Sequence, residues 1–256
     1  MAIITLLTDF GTSDHYTASL KAQILGINSG LNIIDISHTI APSDLAHASF
    51  VLRNCYNDFP KGTVHLVSVG TSGHPKEKMI AIKLNDHYFI GADNGLFGLI
   101  AETEAQFSIE IPKKEGSTTF VAKNIMAGVA AKLASGVSLQ DLGNPFPEYK
   151  KMLRRHLRAT KSHISGHVTR VDHYGNVITN IEQKAFQALH QDRTFSVTFG
   201  RYNSRRIHDY YSQVEPGDYF VVFNSLGLLE IGIYQGNASE LLGLEFDSPV
   251  TINFEE

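Results

Sequence analysis

Apolar runs and polar breaks divide this chain into two halves with different periodicities. In the first half, short apolar runs typical of buried strands alternate with segments that have helical spacing. The predicted strands are 3–7, 33–36, 64–69, 79–84 and 88–90, and the predicted helices are 16–27, 45–56 and 125–133. Alternation of this kind predicts helices packed on a mainly parallel sheet, an α/β arrangement.

The second half consists of short alternating runs separated by turn residues. Its predicted strands are 164–171, 177–181, 195–199, 219–223, 228–234 and 250–254. Strands spaced in this way favour a small antiparallel barrel or sandwich. Between the halves, two prolines and a basic run at 150–158 indicate a boundary, with the basic residues on a solvated linker helix. We therefore predict an α/β domain over 1–150, a linker over 151–163 and a β-barrel domain over 164–256.

Polar segments follow three of the predicted strands, at 8–11, 92–95 and 172–176. In open α/β sheets, small ligands bind at the carboxyl ends of strands. Carboxylates there accept hydrogen bonds from paired hydroxyls such as those of ribose, and amide side chains can pair with a base edge. The pattern predicts a nucleoside-like ligand. Helix capping is the alternative role for Asp9 and Asp14, and turn geometry is the alternative for Asn176 and Asn224.

Composition narrows the class of protein. The 256 residues are 43% hydrophobic, enough for one large core or two moderate ones, and the formal charge is −4. That charge argues against nucleic acid or an anionic membrane as the main partner. A single cysteine, Cys55, fits a reducing compartment, and the first apolar run is broken at Asp9 without a basic leader. We expect a cytoplasmic protein. No phosphate-binding glycine loop and no standard metal-ligand spacing occurs, so we expect no cofactor and no metal.

Several short segments occur in an order that resembles one family. They are 7–14 with Lys21, then 35–38, 40–42, 59–64, 93–96, 172–177 with 179–180, 224–227 and 236–238. Together they resemble the S-adenosylmethionine hydroxide adenosyltransferases, which are relatives of the nucleoside fluorinases and chlorinases. The resemblance implies an amino-terminal α/β domain, a carboxy-terminal β-barrel, and S-adenosylmethionine (SAM) or adenosine as ligand. It also implies a homotrimer in which the nucleoside lies between one subunit's first domain and its neighbour's second.

The resemblance assigns ligand-binding roles position by position. It implies that Asp9 holds the ribose hydroxyls, that Asn176 and the backbone at Ala238 hold the adenine, and that Asp172 and Ser225 hold the methionine end. The remaining candidates for substrate binding in the same segments are Phe10, Asp14, Asn94 and Asn224. The family reaction is displacement at the ribose 5′ carbon, with water or halide attacking and methionine leaving.

The chain departs from the family pattern where the chemistry occurs. Hydrolases of the family carry Asp-Pro-Gly-Val-Gly after the third strand and Phe-His-Gly-Arg-Asp before the alanine-rich helix. This chain has Val-Gly-Thr-Ser-Gly at 69–73 and Phe-Val-Ala-Lys-Asn at 120–124. Ser72 lies where halogenases place a small hydroxyl residue and is the one catalytic candidate, with a simple tight turn as the alternative. Ala122 replaces the second hydroxyl of the fluorinases, which disfavours fluoride.

Three hypotheses follow from these residues. The first is an enzyme that hydrolyses SAM to adenosine and methionine, the second is a chlorinase-type halogenase, and the third is a nucleoside-binding protein without turnover. The ligand-binding candidates fit all three, whereas the missing acidic and imidazole residues favour the third. We rank the first ahead because a thioether leaves without help from a general acid.

Overall fold

The computed structural model describes residues 2–101, 103–113 and 118–255. The chain divides into two compact units, Met1–Leu153 and Arg154–Glu256. The first is a mixed, largely parallel α/β unit and the second is a barrel-like antiparallel unit, so the predicted fold class is confirmed. The predicted domain limits stay a prediction. None of the helices formed by the described residues is long and apolar enough to cross a membrane.

The first unit contains a sheet of seven strands among its described residues. These strands are β1 (Ile3–Thr8), β2 (Asn32–Ser37), β3 (Val64–Ser68), β4 (Met79–Leu84), β5 (His87–Ala92), β6 (Phe107–Glu110) and β7 (Asn144–Pro145). Their order across the sheet is β2-β1-β3-β5-β4-β6-β7. The strands β2, β1, β3 and β5 run parallel to one another, and the remaining pairings are antiparallel. β4 and β5 are consecutive along the chain and pair as antiparallel neighbours.

Helices cover both faces of this sheet. They are α1 (Tyr16–Ile27), α2 (Leu45–Arg53), α3 (Leu96–Ile100) and α4 (Ala127–Ala134), with a π-helical segment at Ala122–Met126 and 3-10 turns at Tyr56–Asp58 and Leu139–Leu142. Side chains alternate across a strand, so Leu6 belongs to the core with α1 and α4 whereas Leu7 belongs to the core with α2 and α3. β1 is buried because it lies between β2 and β3 with a helical layer on each side.

The second unit contains a sheet of eight strands among its described residues. They are β8 (Arg158–Ala159), β9 (His163–Val171), β10 (Val177–Glu182), β11 (Phe195–Phe199), β12 (Tyr202–Ser204), β13 (Tyr219–Phe223), β14 (Leu228–Ile233) and β15 (Pro249–Phe254). The order is β12-β11-β15-β9-β10-β14-β13, with β8 paired to β9. Two helices, α5 (Gln183–His190) and α6 (Ala238–Leu242), and a 3-10 turn, Tyr211–Gln213, complete the unit.

The two edges of this second sheet approach each other. Tyr219 on β13 packs its ring 6.0 Å from the ring of Tyr202 on β12, measured between centroids, and its hydroxyl donates a hydrogen bond of 2.9 Å to the carbonyl of Asn203. These contacts make the sheet nearly closed and protect edges that would otherwise be open.

The prediction of a helix for the basic run is wrong. Residues 150–157 have no regular secondary structure, and Arg158–Ala159 pairs with β9 as a short strand. The backbone of the run is held by contacts with other segments instead: the amide of Lys150 donates to Asp93, and the amide of Met152 donates to the carbonyl of Gly95.

Candidate functional site

The carboxyl ends of the parallel strands bring three loops of the first unit together at Asp9. The Oδ2 atom of Asp9, directly after β1, accepts hydrogen bonds from the backbone amides of Ser43, after β2, and Gly70, after β3, each at 3.0 Å. In the described part of the chain, no hydrogen bond to the other oxygen, Oδ1, is found. One carboxylate oxygen therefore joins the loops, and the other remains as an acceptor at the edge where ligands bind in such sheets.

Capping does not explain the aspartates of this segment. The N-cap position of α1 is His15, whose side chain makes no capping hydrogen bond, and Asp14 is exposed. The helix-capping alternative is therefore wrong for Asp9 and Asp14.

An aromatic cluster lies next to Asp9. The ring of Phe10 meets the rings of Phe120, at 5.6 Å, and Tyr16, at 6.0 Å, while Tyr16 and Phe120 are 5.3 Å apart in an edge arrangement, all measured between centroids. Phe10 and Phe120 are half-buried and Tyr16 is 41% exposed, so the cluster offers partly accessible ring surface. Tyr16 and Phe120 were not predicted from the sequence, because an aromatic residue in an apolar segment carries no motif.

A series of polar side-chain contacts connects the end of β1 to its neighbours. The hydroxyl of Thr8 lies 2.8 Å from Nδ1 of His38, and Nε2 of His38 lies 3.1 Å from Asp35, which also receives a 2.5 Å hydrogen bond from Lys21. Burial raises the pKa of Asp35, but the hydrogen bonds and charges of Lys21 and His38 outweigh it and hold this pKa below its usual value. These residues position the loop.

The turn after β3 satisfies its own polar groups. The carboxylate of Glu77 accepts the backbone amides of Ser72, at 3.1 Å, and Gly73, at 2.9 Å. The Ser72 hydroxyl accepts the amide of His74 at 3.2 Å, as a tight turn would require. Gly73 has a positive φ of +70°, and a Cβ there would lie 2.8 Å from the carbonyl oxygen of Thr118. A catalytic role for Ser72 stays a prediction.

Both polar atoms of the Asn94 side chain make hydrogen bonds within the protein. Its Nδ2 donates to the carbonyl of Val69 at 3.0 Å, and its Oδ1 accepts the amide of Leu96, in α3, at 3.2 Å. The preceding residue, Asp93, accepts the backbone amide of Lys150 at 2.7 Å. Asn94 thus joins the end of β3 to the start of α3, and direct ligand binding by this residue stays a prediction.

In the second unit, a buried carboxylate that was not predicted from the sequence gathers two of the candidate residues. Oε1 of Glu230, on β14, accepts Nδ2 of Asn176 at 3.0 Å, and its Oε2 accepts Nδ2 of Asn224 at 2.9 Å. Burial raises the pKa of Glu230, and the nearby negative charge of Asp172 adds to the shift. The sequence signal was a single acidic residue inside the apolar run 228–234.

Asp172 shapes the turn that carries Asn176. Its Oδ1 accepts the backbone amides of Tyr174, at 2.9 Å, and Asn176, at 2.8 Å, so the Asx turn is made by Asp172 and not by the side chain of Asn176. Gly175 in this turn has a φ of +82°, and a Cβ there would lie 2.1 Å from the side chain of Asn237. The turn therefore requires glycine and packs against the residue that caps α6.

A cleft of about 520 Å³ opens beside this network. Four of its eight lining residues are aromatic: it is lined by Tyr174, Asn176, Tyr211, Phe220, Ile233, Tyr234, Gln235 and Gly236. The rings of Tyr211 and Phe220 lie 4.8 Å apart between centroids. Aromatic walls together with the amide side chains of Asn176 and Gln235 suit a planar heterocycle. Ser225 is exposed on the turn after β13, and Ala238 is buried at the start of α6.

Fold and polar groups define a class: an α/β protein with an appended β-barrel, whose candidate binding residues gather at strand ends. Residues 4–143 match the SAM hydroxide adenosyltransferase N-terminal domain, and residues 166–251 match the SAM hydroxide adenosyltransferase C-terminal domain. The chain belongs to the SAM hydroxide adenosyltransferase family, which confirms the resemblance predicted from its segments.

Relatives with reported names and structures extend this comparison. The chain is 30% identical to an (R)-S-adenosyl-L-methionine hydrolase of Methanocaldococcus jannaschii, over 98% of this chain and 95% of the relative. A fluorinase of Actinoplanes sp. is 23% identical over 71% of this chain and 72% of its own length. The crystal structure of an uncharacterized conserved protein from Thermotoga maritima superimposes with a TM-score of 0.90 at 34% identity, covering 98% of this chain and 99% of that one.

Proposed function

We propose that this protein binds SAM and hydrolyses it to adenosine and L-methionine. The observation that carries the proposal is the aromatic cleft with Asn176 at its wall, in a chain whose relative of 30% identity is named (R)-S-adenosyl-L-methionine hydrolase. In this proposal Asp9 accepts the ribose hydroxyls, Asn176 and the backbone at Ala238 hold the adenine, and Asp172 with Ser225 holds the methionine end.

The reaction needs little chemical assistance from the protein. The oxygen of water forms a bond to the ribose 5′ carbon while the bond from that carbon to sulfur breaks, and the electron pair of the broken bond stays on sulfur. Methionine leaves as a neutral thioether, and the attacking water loses a proton to solvent. The protein therefore has to align water opposite sulfur and exclude competing solvent.

The side chains at the altered family positions suit this limited role. Val121 and Ala122, which stand where family hydrolases carry His and Gly, are buried and carry no proton-transfer group. General-base assistance is worth about 10²- to 10⁴-fold in rate, so we expect slower turnover than in a relative that keeps the histidine and aspartate.

Water is favoured over halide by the turn after β3. The amides of Ser72 and Gly73 would be natural donors to a halide, but the carboxylate of Glu77 already accepts both. This contact supports hydrolysis over the chlorinase-type alternative. The nucleoside-binding protein without turnover remains the second candidate, supported by the absence of an acidic or imidazole side chain at 121–122.

Product identification tests the proposal. Purified protein is incubated with SAM in buffers with and without chloride, and the nucleoside is identified by chromatography and mass spectrometry. We expect adenosine in both buffers. A 5′-chlorinated nucleoside in the chloride buffer would establish the halogenase instead. SAM binding without any product would establish the binding protein, and no binding of SAM or adenosine at millimolar concentration would overturn the proposal.

We further propose a cytoplasmic homotrimer whose nucleoside site is completed by a neighbouring subunit. The resemblance to the family supports this assembly, and the one cysteine and the formal charge of −4 support a reducing, aqueous compartment.

A further inference from the structure

Glu230 is surrounded by hydrogen-bond donors. It is 3% exposed, and its two oxygens accept the side-chain amides of Asn176 and Asn224, one on each oxygen. A carboxylate accepts hydrogen bonds without donating any, whereas a protonated carboxyl would have to donate one. Two amide donors, one at each oxygen of a buried side chain, match the ionised acceptor form.

The orientation of Asn224 is fixed independently of Glu230. Its Oδ1 accepts the backbone amides of Leu226, at 3.0 Å, and Leu228, at 3.2 Å, so only its Nδ2 can point to Glu230. Oε2 of Glu230 is therefore an acceptor. With Glu230 ionised, Oε1 is an acceptor as well, and it holds the Nδ2 of Asn176. The amide of Asn176 thus has one allowed orientation, which leaves its Oδ1 as the atom that accepts.

The backbone leaves room for that oxygen. A Cβ on Gly232 would lie 2.6 Å from Oδ1 of Asn176 and 2.0 Å from the ring of Phe220, so only glycine allows both side chains to occupy this wall of the cleft. Asn176 and Phe220 both line the cleft, so the oriented amide stands beside an aromatic surface.

We propose that Glu230 is a positioning residue that orients the Asn176 amide and so makes the cleft select a purine with a 6-amino group over one with a 6-oxo group. The inference rests on the proposed function, because it takes the nucleoside base as the occupant of this cleft. An amino group donates to the oxygen of Asn176. An oxo group at the same place sets two acceptors against each other, and the unpaired polar groups weaken binding by about tenfold or more.

The test compares adenosine with inosine, which carries an oxo group in place of the 6-amino group and a proton on N1. Dissociation constants for both are measured by calorimetry on the unchanged protein, on Glu230→Gln and on the control Glu182→Gln, which alters an exposed glutamate at the end of β10. We expect the unchanged protein and the control to prefer adenosine by about tenfold or more.

Glu230→Gln keeps the shape of the side chain but has one acceptor and one donor end. Because Asn224 can only donate, the acceptor end of the new glutamine faces Asn224 and its donor end faces Asn176. Asn176 then turns its Oδ1 to the glutamine and its Nδ2 to the base. We expect the preference for adenosine to fall by about tenfold or to reverse in favour of inosine.

Each outcome bears on the inference. A loss that is equal for both nucleosides, with their ratio unchanged, would mean that Glu230 only supports the fold and would overturn the inference. Equal binding of the two nucleosides by the unchanged protein would overturn it as well, even if Glu230→Gln fails to fold. A protein that binds neither adenosine nor SAM contradicts the proposed function itself, and the inference with it.

Discussion

The two carboxylate oxygens of Asp9 differ in role, one structural and one proposed for ligand binding. Oδ2 accepts the amides of Ser43 and Gly70, and Oδ1 is the acceptor proposed for ribose. We predict that Asp9→Ala lowers the free energy of unfolding by about 1–2 kcal/mol, because two partly exposed amides lose their acceptor, and abolishes adenosine binding. Urea denaturation and calorimetry measure the two effects.

Asp9→Asn separates the two tasks. One amide oxygen can still accept the two backbone amides, but the NH₂ group replaces the second acceptor. We expect near-native unfolding free energy and at least about tenfold weaker adenosine binding. If the asparagine variant binds adenosine as tightly as the unchanged protein does, Asp9 has no part in holding the ribose.

At the scale of single residues, the sequence indicated candidate binding residues but not the side chains that they contact. Asp9 and Asn176 stand out because each follows an apolar run that ends in a turn, and a strand end is where ligands bind. Glu230 does not stand out, because one acidic residue in a buried strand matches no motif and its proposed role depends on Asn176, 54 residues away along the chain. Contacts of this kind depend on the tertiary structure and leave no local signal.

At the scale of elements, β3 and β5 carry a buried histidine pair toward their amino-terminal ends. Nδ1 of His65 lies 2.7 Å from the Thr5 hydroxyl, and its Nε2 lies 3.2 Å from Nδ1 of His87. Burial, with a smaller contribution from His87, lowers the pKa of His65 to about 3. Because the folded-state pKa lies below the unfolded value near 6.5, folding favours the neutral ring.

Acid should therefore destabilise these strands. The stabilisation is fully present above pH 6.5 and is lost progressively as the pH falls towards about 3, by roughly 3 kcal/mol at pH 4. We predict that His65→Gln, which cannot be protonated, flattens this part of the pH profile, whereas the exposed His156→Gln does not. Urea unfolding at several pH values between 7 and 4 measures the slopes. Equal slopes in all three proteins would show that His65 is not responsible.

Several elements with a clear period were predictable whatever their length, whereas the helices α3, α5 and α6 were not predicted. The prediction over 16–27 coincides with α1, and those over 195–199 and 219–223 coincide with β11 and β13. The short helices α3 and α6 were missed because five residues do not complete two helical turns, so no period can be recognised. The helix predicted over 125–133 begins as a π-helical segment at Ala122–Met126, which shifts the register of apolar positions before α4.

At the scale of the whole molecule, we predict a mass of three chains. Light scattering at micromolar concentration should give about three times the chain mass of 28.3 kDa, because a closed ring is the symmetric solution when one surface of each chain meets a different surface of the next. The measurement is repeated after gel filtration at tenfold lower protein concentration. A single-chain mass under both conditions would contradict the trimer.

The Glu77 contact changes how the turn after β3 responds to dissolved anions. Glu77 is attached four residues beyond Gly73, so its carboxylate is present at these amides at an effective concentration on the order of millimolar or above, whatever the composition of the solution. A free halide has to compete with this tethered anion for the same donors. We therefore expect this turn to resist halides through competition with Glu77, and the length of the segment between Gly73 and Glu77 to set how strongly it does so.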